Sequence, residues 1–343
     1  MNNLNSRLNE ITNLDKKQLY PPFPQKNLLI EVTNACNCNC IFCANSKMKR
    51  KRKYINKELV IKVLNESFEL GTREVGFYTT GEALLNNELA EYIKIAKKTG
   101  FNYIYLTTNA ILLNESKIEE LVNAGIDSIK LSINAINDRD YKFIHGIEAY
   151  EKVMNNLKKL YNYRKNKKLK YKIYVSYIST RYTDYDINKI KDNFSSWCDE
   201  VAIVNVRNQS GMMPEIISLL SCYNTNNKIQ AERLVPCHYV FNTINVSAEG
   251  YLTACCTDFE NYLAYADLNT TSLKEAWHNE IITELRKKHL ENNLGDTLCN
   301  NCINNSKYVP KPLSKKYIES EIKEKIFESN KVDNRIKKYQ NMI

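Results

Sequence analysis

The sequence predicts an α/β protein organised on a parallel sheet, and three observations carry that prediction. Strand-like apolar runs alternate with helical segments six times between residues 27 and 211. Asn and Gly punctuate the helical segments at their ends, where caps and stops belong. The alternation then fades from about Met212, where a cysteine-bearing, loop-rich stretch begins. Strands that alternate with helices are joined by right-handed crossovers and lie parallel. Six such units in about 180 residues suit a partial barrel as well as an open sheet. In either architecture ligands sit at the carboxyl ends of the strands.

The elements follow in order. Residues 1–26 read as a loose N-terminal leader that ends in Pro21, Pro22 and Pro24. Leu28–Val32 is the first strand. Asn56 caps a helix whose apolar residues Leu59, Val60, Val63, Leu64 and Phe68 recur at helical spacing, and Gly71 stops it. Val75–Tyr78 is a strand, Leu89–Lys98 a helix closed by Gly100, and Tyr103–Thr107 a strand. Asn114 opens a helix that ends at Gly125, and Ser128–Ile133 is the fourth strand. Tyr150–Tyr163, Tyr171–Ser179, Ile187–Phe194 and Val201–Val206 complete the series as helix, strand, helix, strand. The predicted units are a barrel-type domain over 27–211, a cysteine-rich domain over 212–310 and a basic helix over 311–343. The cysteine-rich part carries a short hairpin, Ile244–Val246 with Tyr251–Ala254, and a helix around Leu273–Arg286. Ile318, Ile322 and Ile326 give the last helix its spacing.

Composition narrows the classes. The 343 residues are 43% hydrophobic and 26% charged, which excludes a disordered chain. No apolar run of about 18 residues exists, so no membrane-spanning helix is expected. The start, MNNLNSRLNE, has no apolar signal core and points to the cytoplasm. The net charge is +10, and Lys47–Lys53 holds six basic residues in seven. Further basic runs lie at Lys158–Lys172 and beyond Lys307. They read as solvated surface, since no nucleic-acid signature accompanies them; a docking face for an acidic electron carrier is the other reading kept.

Eleven cysteines are the distinctive feature. A cytosolic chain keeps thiols reduced, so metal binding or catalysis is favoured over disulfides. Cys36, Cys40 and Cys43 form Cys-x3-Cys-x2-Cys directly after the first strand. Three thiolates can hold three irons of a four-iron cluster and leave the fourth open, as a catalytic metal requires. Zinc is the competing reading, but a structural zinc needs a fourth ligand and only Cys38 lies near. Cys38 fits no 3-then-2 spacing and reads as a bystander.

On these residues the chain resembles the radical S-adenosylmethionine (SAM) superfamily. Phe42 matches the aromatic before the last cysteine of the family's triad. Thr80-Gly81-Glu82-Ala83 follows the second strand, where the family has Gly-Gly-Glu-Pro, with Thr80 and Ala83 as departures. The resemblance implies that Gly81 and Glu82 hold the SAM amino group, that Asn109 faces its ribose and that Ser132 lies near its carboxylate. A partial (β/α)6 barrel is the implied fold. The family often has Arg before Gly about a dozen residues after that serine; here the slot holds His145-Gly146.

Cys237, Cys255, Cys299 and Cys302 resemble the SPASM/twitch auxiliary-cluster domain of the same enzymes. Four ligands fill all four irons, so the implied second [4Fe-4S] cluster is closed, an electron carrier or a staple. Zinc competes here too, and Cys256 competes with Cys255. The resemblance implies an oxidoreductase that cleaves SAM reductively to a 5′-deoxyadenosyl radical and abstracts a substrate hydrogen. The single auxiliary cluster favours oxidation of a small sugar-like alcohol, with modification of a peptide or of a nucleic acid as alternatives. A flavodoxin or ferredoxin is the implied electron donor. No residue is singled out as catalytic.

Overall fold

The structure, a computed structural model, describes residues 18–222, 235–321 and 329–341. Strand β1 (Leu28–Ile30) leads through the cysteine loop to α1 (Lys57–Glu69), whose first turn is closed by the Asn56 side chain accepting from Leu59 N. β2 (Glu74–Phe77), α2 (Leu89–Thr99), β3 (Tyr103–Thr108) and α3 (Glu115–Ala124) repeat the unit, with Asn114 capping α3 in the same way. β4 (Ser128–Ser132) is followed by two helices, α4 (Asp138–His145) and α5 (Tyr150–Asn166). β5 (Lys172–Ser179), α6 (Ile187–Phe194) and β6 (Glu200–Asn205) finish the alternating part.

After α7 (Glu215–Leu220) and the short α8 (Tyr239–Asn242) come β7 (Ile244–Val246), β8 (Tyr251–Thr253) and β9 (Ala264–Asp267). The hairpin predicted from the sequence is present, and it continues the main sheet. β7 pairs parallel with β1, so the nine strands run β6-β5-β4-β3-β2-β1-β7-β8-β9. Strands β1 to β6 are parallel and do not close into a full barrel. The expected helix around Leu273–Arg286 is two helices, α9 (Leu273–Ala276) and α10 (Glu280–Leu290), and the Cys299–Cys302 pair lies on a third, α11 (Leu298–Asn304). The last described element is α12 (Ser329–Gln340).

Alternate strand residues point to opposite faces. One face, with Val75, Phe77, Ile104, Leu106, Ile129, Leu131, Ile173 and Val175, packs into the main core. The other carries Gly76, Tyr78, Tyr105, Lys130, Ser132, Tyr174 and Ser176. There Tyr174 and Ala202 form a small cluster apart from the main core. This second face is aromatic and polar. Tyr78 and Tyr105 have ring centroids 5.9 Å apart, Lys130 Nζ lies 5.6 Å from the Tyr78 centroid, and Ser176 Oγ is 3.3 Å from Ser132 Oγ.

Three expectations need correction. The end of the leader is docked: Trp277 Nε1 donates to the Pro21 carbonyl at 3.1 Å, and Phe23 meets the Trp277 ring edge-on. Ile318 follows a 3-10 turn in extended backbone and starts no helix; Ile322 and Ile326 lie outside the described residues. The Lys47–Lys53 run is not uniformly solvated, because Arg50 is 3% exposed. The run on α5 does lie at the surface, where Lys159, Lys167 and Arg164 pair with Glu115, Glu119 and Asp199.

Candidate functional site

The cysteine loop leaves β1 at its carboxyl end and is tied down backbone to backbone. Asn39 N donates to the His145 carbonyl at 3.0 Å and Ile41 N to the Ile144 carbonyl at 2.8 Å, which fixes the loop on the end of α4. Cys36, Cys40 and Cys43 are partly buried, and the Phe42 side chain lies in the main core. Burial pushes the Cys43 thiol up to about 11, so that sulfur holds its proton until a cation displaces it. Cys38 is drawn in with them: its thiol shares hydrogen bonds with Cys36 and Cys40.

Sequence reasoning attached no role to His145, which lies beneath this loop. Its Nε2 is 2.7 Å from the Ile133 carbonyl, so Nε2 carries the proton and donates. Nδ1 is then the acceptor, 3.3 Å from Cys40 Sγ. Burial depresses the ring's pKa to about 4 and keeps it neutral. Its place beside Gly146 was a visible signal; its contact with a cysteine over a hundred residues earlier was not.

The Gly81-Glu82 segment packs directly on the loop. A Cβ at Gly81 would lie 2.1 Å from the Thr33 carbonyl and 2.6 Å from that of Ala35, so only glycine fits. Glu82 N donates to the Ala35 carbonyl at 2.8 Å. The Glu82 carboxylate is buried and accepts from Thr108 Oγ1 at 2.6 Å, Asn109 N at 2.7 Å and Leu84 N at 3.1 Å. Burial raises its pKa against the pull of these donors. A carboxylate offers about four acceptor sites, so one remains. Asn109 Nδ2 donates to Asn37 Oδ1 at 2.6 Å, which ties the end of β3 to the cysteine loop. Ser132 stands on the aromatic-polar face of the sheet. The first-site residues named from sequence thus converge on the carboxyl ends of β1 to β4, with the Phe42 side chain turned into the core.

A buried charge network braces the loop from the other side. Arg50 donates to Glu31 at 3.1 Å, to Glu249 Oε2 at 2.6 Å, to Asn261 Oδ1 at 3.1 Å and to the Phe259 carbonyl at 2.9 Å. Glu31 also accepts from Ala248 N at 2.8 Å and from the Thr80 hydroxyl. Burial pushes the Glu31 carboxyl up, but Arg50 beside it prevails and holds it below the usual range. One guanidinium therefore joins β1, the Thr80 segment and the β7–β8 turn.

The second thiol set surrounds one recess. Cys237, Cys255, Cys299 and Cys302 line it with Val240, Leu263 and Ile303, around about 300 Å³ free of protein atoms; Cys256 is not in its lining. Cys299 and Cys302 share a face of α11 at three-residue spacing. Asn208 Nδ2 donates to the Cys302 carbonyl at 2.8 Å, and Ser210 Oγ lies 3.1 Å from Cys255 Sγ. Among the described residues no three Cys, His, Asp or Glu side chains converge on one point closely enough to hold a single ion. Soft sulfur donors around an apolar recess suit an iron–sulfur group.

Residues 30–184 match the radical SAM superfamily model, and residues 237–303 match an iron–sulfur cluster-binding domain, SPASM. The two segments together make up more than half the chain, which belongs to the radical SAM superfamily and carries a C-terminal SPASM domain. Its cofactors are those of the two domains: SAM, a SAM-binding [4Fe-4S] cluster and an auxiliary [4Fe-4S] cluster. The chain is 30% identical over 135 residues to a probable GTP 3′,8-cyclase of Saccharolobus solfataricus, 39% of this chain and 43% of that one. It is 32% identical over 129 residues to the PqqA peptide cyclase of Gluconobacter oxydans, 37% of this chain and 36% of that one. It thus spans less than half the length of the curated relatives it matches. Among solved structures, BtrN in complex with AdoMet and 2-DOIA shares the fold at TM-score 0.52 and 18% identity, over 87% of this chain and 98% of that one. No described helix is long and apolar enough to cross a membrane.

Proposed function

We propose that Cys36, Cys40 and Cys43 hold the SAM-binding cluster and that Cys237, Cys255, Cys299 and Cys302 hold the auxiliary one. When bound, the first cluster and SAM supply a hydrogen-abstracting adenosyl radical. The chain's own residues bind and shield. Glu82, with one acceptor site left, takes the SAM ammonium, Gly81 lets that segment lie against the loop, and Asn109 orients the ribose side. The aromatic-polar sheet face, with Tyr78, Tyr105, Lys130 and Tyr174, receives the substrate and keeps water from it.

The reaction is a two-electron oxidation of a small sugar-like alcohol. The observation that carries this reading is the four-thiol recess. A cluster held by these four thiolates would have no iron open to substrate and would be suited to accept an electron from it. BtrN, whose whole length aligns and whose complex contains 2-DOIA, supports the assignment. Similarity to the PqqA peptide cyclase supports a second reading, oxidation within a peptide. The deciding experiment incubates anaerobically reconstituted protein with SAM, dithionite and panels of aminocyclitols and peptides. Mass spectrometry should find 5′-deoxyadenosine and an aminocyclitol lighter by two hydrogens. A peptide with that loss selects the second reading, and a product of unchanged mass rejects oxidation.

A further inference from the structure

Helix α12 lies outside both matched domains, yet it packs against the cysteine loop. Arg335 Nη1 donates to the Asn39 carbonyl at 2.6 Å, and Asn39 stands between Cys38 and Cys40. Arg335 Nη2 donates to the Lys142 carbonyl at 3.2 Å. Gly146 makes this approach possible, since a Cβ there would lie 2.7 Å from the Arg335 guanidinium and 2.9 Å from Asn39 O. Tyr339 OH, from the next turn, donates to the buried Asp140 at 2.6 Å, and its ring stacks on Phe143 at 4.2 Å. The helix is anchored by buried groups and is not a loose tail.

Between α12 and α4 a solvent-open cleft leaves about 860 Å³ free of protein atoms. Arg139, Lys142, Arg335 and Lys338 line it, and among the described residues no carboxylate does, although Arg139 also pairs with the buried Asp140 behind it at 3.3 Å. Glu148, which pairs with Lys142, stands outside the lining. Its floor includes Asn39, one residue from Cys40.

We propose that this cleft is the docking site of a small acidic one-electron carrier protein of the flavodoxin type. Opposite charge draws such a partner to the cleft and orients it. A carrier seated there faces Asn39, whose backbone leads directly to Cys40. The carrier loses one electron, the centre held by Cys36, Cys40 and Cys43 gains one, and no proton moves. Phosphate-bearing RNA would match the charge, but the cleft's two aromatic rings, Phe143 and Tyr339, are stacked on each other and buried, so no base can stack on them. The inference rests on the proposed cluster only for what the carrier reduces; docking itself is measured without turnover.

The test titrates fluorescently labelled oxidised flavodoxin into the reconstituted full-length protein at about 25 mM salt, where the Debye length is long. Parent protein is compared with Lys142→Glu/Lys338→Glu and with Lys94→Glu/Lys98→Glu, an equal change of charge on the exposed surface of α2. Iron content and SAM binding of all three are measured first and should agree, because neither pair touches the cofactor residues. The cleft pair should weaken flavodoxin binding at least about tenfold and the α2 pair less than about twofold. At about 200 mM salt the difference should shrink. No binding by the parent at low salt, equal weakening by both pairs, or weakened binding of RNA alone overturns the proposal. A parent that lacks iron overturns the cluster assignment and leaves the docking result to stand by itself.

Discussion

Replacing Arg50 with Met separates two meanings of a basic residue in a basic run. Read as surface, Arg50→Met costs at most about 1 kcal/mol, the worth of an exposed pair. The structure demands more. Arg50 and Glu31 are 3% and 2% exposed, and Arg50 also pairs with Glu249. Removing one partner of a buried pair leaves an uncompensated charge and costs about 3–5 kcal/mol. In melting temperature that is on the order of 10 °C. The pH profile adds a sign. In the parent Glu31 is held below its ordinary value of 4.5, so its contribution is complete above that pH and lost on acidification. Without Arg50, only the hydrogen bonds from Thr80 and Ala248 oppose burial, the largest influence on the group, and the Glu31 pKa should rise above the unfolded value. The variant's deficit should then grow as pH rises from about 5 to 8. Thermal melts of Arg50→Met, Lys49→Met and Lys51→Met under nitrogen across that range check this. Glu31→Gln added to Arg50→Met should recover part of the loss. A deficit within about 1 kcal/mol that is flat with pH would refute the buried network.

Other outcomes follow from the same geometry. Gly81→Ala forces a methyl into the Thr33 and Ala35 carbonyls; it should cost about 1–3 kcal/mol and lower iron at the first site only, read by iron assay and electron paramagnetic resonance. Cys36, Cys40 and Cys43 changed together to Ala should leave about four of eight irons and no SAM cleavage; stoichiometric zinc in the parent would contradict this. Glu82→Ala should weaken SAM binding about tenfold with iron content unchanged, measured by equilibrium dialysis. Cys38→Ala should keep both clusters; loss of the first would make Cys38 a ligand and shift the register of the triad.

The alternating fold was readable because its signals are local. Asn56 and Asn114 are found capping the helices they announced, and Gly100 and Gly125 end theirs. The converging first-site residues were readable because each follows its own strand. What escaped depends on distant partners. Helix α4 is short and polar, and its role appears only when its last turn holds the cysteine loop. Arg50 looks like its neighbours until Glu31, Glu249 and Asn261 come to it from elsewhere in the chain. Lys130 and Ser132 share one face by simple two-residue alternation, a signal present in the sequence that strand detection alone does not use. The join of β7 to β1 links residues over two hundred positions apart, and no local pattern encodes it.

That join bears on how far the two halves can be separated. β1 is three residues long and sits inside the sheet, with β2 on one flank and β7 on the other. Glu31 N extends the pairing by donating to the Val246 carbonyl at 2.9 Å. A fragment that stops before β7 would turn this inner strand into a sheet edge, with unpaired amides beside an apolar row. Bare edges of that kind recruit other chains. The thiol loop hangs from the same strand, so the first metal site would be carried on the part most prone to self-association. The auxiliary domain is therefore also the barrel's missing flank, and activity lost on truncation would report aggregation as readily as a broken electron path.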